Sequence, residues 1–133
     1  MSLASLRYAA PLARQFGAKI TLLHVVQPPN YAPELPYPAV IDQENLSMAA
    51  NTLAAIRTEK IDSDLQVETV VQHGFVFDNI LEVARKVRAD LIITTTHGYS
   101  GLKHLLMGST AECIVRKAPC PVLVVRDPED GPE

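Results

Sequence analysis

The segment ADLIITTTHGYSGLKHLLMGSTAECIVRK, residues 89–117, decides the fold. It opens on LIIT, an apolar run of strand length, passes through a stretch rich in glycine and hydroxyl groups, and resumes as a helical pattern at Gly108-Ser109-Thr110. Strand, loop and helix in that order form the repeating unit of α/β domains. Half of the chain's six glycines fall between Thr96 and Thr110. Glycine is favoured where the backbone takes a positive φ or where something approaches it closely, and elsewhere it costs conformational entropy. This window is the first candidate for a site.

The same alternation extends outward. A helical pattern over about 3–16 carries Leu6, Ala9, Ala10, Ala13 and Phe16 at helical spacing, ends at Gly17 and has Pro11 inside it. KITLLHVV, 19–26, is nearly continuous in apolar character, as a strand covered on both faces should be. QPPNYAPELPYPAV, 27–40, holds five prolines and reads as a surface loop. A second helix over about 42–60 shows a stripe of Leu46, Ala50, Leu53, Ala54 and Ile61, and residues 65–72 alternate as a strand. A third helix is marked by Asp78 at its start, with Ile80, Leu81, Ala84 and Val87 on its apolar face. PVLVVR, 121–126, is the last strand, and 127–133 is expected to be a flexible acidic tail behind a single domain over 1–126. Helices alternating with buried-type strands specify right-handed crossovers and a doubly wound parallel sheet with helices on both faces. Ligands of such sheets bind beyond the carboxyl ends of the strands, so HVVQ, QHG and THG should gather with the glycine loop on one edge.

Composition narrows the functional classes. With 47% hydrophobic and 20% charged residues, the 133-residue chain suits one domain with a real core. Its net charge of −3 offers no general attraction to nucleic acid or to anionic membrane. No apolar stretch approaches the ~18 residues of a membrane span, and a cytoplasmic location is expected. Cys113 and Cys120 are too few for a disulfide scaffold and have no metal-ligand spacing, so both are expected as reduced thiols. No Ser/His/Asp or paired carboxylate set is visible, so dedicated enzyme chemistry has little support.

The glycine window supports two chemical readings. A strand, a glycine loop and a helix starting near Ser109 aim backbone N–H groups and the positive end of a helix dipole at one spot, which suits phosphate. The hydroxyls of Ser109 and Thr110 can donate to the same ligand. Alternatively, Ser109 and Glu112 form a capping box that satisfies those N–H groups internally. His24, among apolar strand neighbours, reads as structural. His97, Lys103 and His104 read as loop tether and solvated surface. Gly74 reads as a tight turn.

These residues carry a resemblance. LLHV at 22–25, the proline-rich loop, DLIITTTHG, and GLKHLLMGSTAECIVRKAPCPVLVV, in that order, resemble the universal stress protein family. The resemblance covers nearly the whole chain. It implies an adenine nucleotide alpha-hydrolase-like fold with a five-strand parallel sheet, a homodimer joined through the last strand, here Pro121 to Val125, and in one subclass an ATP or AMP site. Mg would enter only alongside ATP.

That subclass carries a glycine, two residues, a second glycine, nine residues, then glycine with serine or threonine. Gly98 takes the second glycine's place, 99–107 are the nine, and Gly108-Ser109 closes the motif. Thr95 stands at the first glycine, bringing a Cβ and a hydroxyl to the phosphate. Val25 matches a position that touches the adenine. The family's opening strand and the aspartate after it have no counterpart from Met1 onward, which is expected to leave a gap in mid-sheet. Two functions follow from the resemblance: a stress-response module binding an adenine nucleotide through Val25, Thr95, Gly98, Gly108, Ser109 and Thr110, or a dimeric regulatory protein of the subclass that binds none.

Overall fold

The computed structural model describes residues 3–27, 43–96 and 109–126. The proline-rich segment 28–40, the glycines Gly98 and Gly108, His97, Lys103, His104 and the tail 127–133 lie outside the described residues. Four helices and four strands alternate: α1 (Leu6–Phe16), β1 (Ile20–Val26), α2 (Gln43–Lys60), β2 (Val67–His73), α3 (Val76–Lys86), β3 (Ile92–Thr95), α4 (Ser109–Lys117) and β4 (Val122–Val125).

Local chemistry sets several of these bounds. α1 stops where Gly17 enters the left-handed region at φ 61° and donates its N–H to the Ala13 carbonyl. Pro11 lies inside α1 without ending it, although it removes the N–H that would bond the Arg7 carbonyl. α3 begins at Val76, two residues before the expected Asp78, because the chain leaves β2 through Gly74 and Phe75 takes the extended cap position. Asp78 then sits in the first turn, where a negative charge answers the helix dipole.

The strands form two parallel ladders, β1 with β2 and β3 with β4. In the first, Ile20 faces Val67 and Val26 faces His73. In the second, Ile92 faces Val122 and Thr95 faces Val125. Each parallel step needs a crossover helix, and right-handedness fixes where it runs. α2 carries the chain from β1 to β2 and packs on both. α3 starts from β2 but packs on β1 and on α4, so it travels back across the first ladder. A right-handed crossover that runs back over the ladder lies on the face opposite to α2, and α3 packs there with α4. No ladder joins β1 to β3 among the described residues, the two strands between which a gap was expected.

That arrangement shows in burial. Every residue of β1 and of β3 is half-buried rather than enclosed. The core instead centres on helix residues: Leu53 of α2 and Ile114 of α4 are fully buried, and Leu81, Val83 and Ala84 of α3 are buried as well. α2 buries Ala49 and Leu53, while the expected Ala50 and Ala54 face solvent. Alanine marks a face weakly, and the bulkier Leu46, Leu53 and Ile56 decide the rotation. Phe16, expected on the inner stripe of α1, is 77% exposed. An ion-pair cluster joins α1 to the turn before β2, with Arg14 contacting Asp62 and Asp64.

Candidate functional site

Parallel strands point their carboxyl ends to one edge, and the described residues there line an open cleft of about 330 Å³. Gln27 reaches it from the end of β1, Gly74 and Phe75 from the end of β2, Phe77 and Asp78 from the first turn of α3, and Thr110 from the first turn of α4.

Gly74 shapes the turn. Its N–H donates to the Val26 carbonyl at 3.0 Å, tying the ends of β1 and β2 together. Its φ of 127° lies where side chains are strained, and Asn79 Nδ2 occupies the space a Cβ would need. That amide donates to the Phe75 carbonyl at 2.8 Å, tethering the turn to the first turn of α3, while the helix N-terminus has no side-chain cap.

The expected site residues are distributed along this edge. Val25 is half-buried in β1 opposite Gln72, two residues ahead of Gln27. Thr95 ends β3 opposite Val125, and the next residue, Thr96, is buried with its N–H donating to the Val125 carbonyl at 3.0 Å. Ser109 opens α4 and is exposed, while Thr110 is half-buried and lines the cleft. Gly98 and Gly108 lie outside the described residues.

The capping box expected of Ser109 and Glu112 is not formed among the described residues. Glu112 Oε1 instead accepts a hydrogen bond from Arg116 Nη2 at 2.8 Å, one turn onward. The contact is an exposed i, i+4 ion pair, common and weak.

Gln27, Phe75, Phe77 and Asp78 were not legible as site residues. The signal that could have found them is Gly74, a glycine directly after a strand, which marks a close approach of backbone at the ligand-binding edge. His24 is half-buried in β1 and lines a second cleft of about 270 Å³ against α2, with Asn45, Met48 and Thr52. Both cysteines are free thiols. Burial, and then the nearby Asp90 carboxylate, push the Cys120 thiol above its ordinary range, so it is not an activated nucleophile. Among the described residues no helix is long and apolar enough to cross a membrane, and no His/Cys/Asp/Glu cluster is placed to hold a metal ion.

The family model for the universal stress protein family matches residues 1–126. A universal stress protein of Methanocaldococcus jannaschii is 31% identical over 134 aligned positions, covering 97% of this chain and 77% of that protein. The solved structure of universal stress protein UspA from Lactobacillus plantarum superposes with a TM-score of 0.71 at 27% identity, covering 94% of this chain and 91% of that one. The Archaeoglobus fulgidus universal stress protein in complex with dAMP shares the fold at a TM-score of 0.59 and 22% identity, covering 91% of this chain and 84% of that one. A family match over nearly the whole sequence, joined to the α/β order of its elements, makes this chain a member of the universal stress protein family.

Proposed function

We propose that this universal stress protein binds an adenine nucleotide, ATP or AMP, at the carboxyl edge of its strands. Val25 lies near the base, and the phosphates lie toward Thr95, Gly98, Gly108, Ser109 and Thr110. The observation that carries the reading is the cleft in which Thr110 of α4 meets the ends of β1 and β2. A hydroxyl on the first turn of a helix stands beside unsatisfied backbone N–H groups and the positive end of the dipole, where phosphate oxygens are favoured. Glu112, which would repel phosphate, is paired forward with Arg116. A relative of the same fold was solved with dAMP, and at 22% identity that likeness extends to the fold alone. Mg accompanies the nucleotide only if it is ATP.

Mass spectrometry of protein denatured directly after purification tests the reading, with co-purified ATP or AMP the expected result. In calorimetry Gly108→Val should abolish binding by placing a branched side chain where the phosphates approach. Unchanged affinity in that variant overturns the assignment and leaves the nucleotide-free regulatory dimer as the better reading.

A further inference from the structure

We draw no further inference here: the strongest candidate, the open cleft of about 270 Å³ between β1 and α2 lined by His24, Asn45, Met48 and Thr52, carries none because nothing among the described residues shows what covers it.

Discussion

Asn79 Nδ2 stands 3.1 Å from the point where a Cβ on Gly74 would lie, and the same amide holds the Phe75 carbonyl at 2.8 Å. The glycine and the asparagine therefore share one turn: the first provides the space and the positive φ, and the second fills that space with a hydrogen bond. Gly74→Ala is expected to destabilise the chain by ~1–3 kcal/mol, the cost of a side chain in a sparsely populated backbone region. Adding Asn79→Ala would relieve the contact but not the φ, so the double variant should recover little. Denaturant melts of the four proteins check this, and full recovery would place the whole cost in the contact.

The path from β2 to α3 also shows which features could be read from the sequence. The order of helices and strands was legible because apolar periodicity is local, and Gly17 and the β-branched strand runs punctuate it. The rotation of α2 was not, since Ala50 and Ala54 carry too little apolar area to outvote Ile56. On the site, Ser109 and Thr110 were visible as hydroxyls after a glycine, but the pairing of Glu112 with Arg116 was not, because a carboxylate at that spacing serves a cap or an i, i+4 partner equally well. Asp78 was read as punctuation, since only the crossover of α3 back over β1 brings its helix start to the cleft shared with Thr110.

Lys19 pairs with Glu68 across the start of the first ladder. The hydrogen bond from Lys19, and then its charge, hold the Glu68 carboxylate below the ordinary glutamate range. A depressed folded-state pKa contributes stability above the unfolded value of about 4.3 and loses it as pH falls through the folded value. Glu68→Gln should therefore be less stable than the wild type at neutral pH, by a small margin because the pair is half exposed to solvent, and the two should converge in acid. Urea melts at about pH 7 and about pH 3 measure both gaps; a gap that does not change with pH would assign it to packing rather than charge.

Among the described residues β4 is hydrogen-bonded only to β3, and Val122, Leu123 and Val124 remain half-buried. A short apolar edge of this kind invites pairing, and a second copy related by a two-fold axis would cover both edges at once. Val124→Lys should then run as a monomer in sizing with light scattering, whereas a persistent dimer would place the interface elsewhere.

The inner edges of the two ladders raise the last expectation. No ladder joins β1 to β3 among the described residues, and both strands are half-buried along their length. Isolated two-stranded ladders are marginal in water, and parallel ones occur almost only inside larger covered sheets. Each buried backbone group left without a partner costs ~1–3 kcal/mol, so several of them rival the ~5–15 kcal/mol of a typical domain. One extended strand lying parallel between β1 and β3 would satisfy both edges, and its carboxyl end would arrive beside Gln27 and the cleft. Fusing a strand that ends in aspartate to the start of the 133-residue chain should therefore raise both the melting temperature and the affinity for ATP. If the extended and present chains melt alike and bind alike, the two ladders need no strand between them, and the nucleotide must be held without that edge of the sheet.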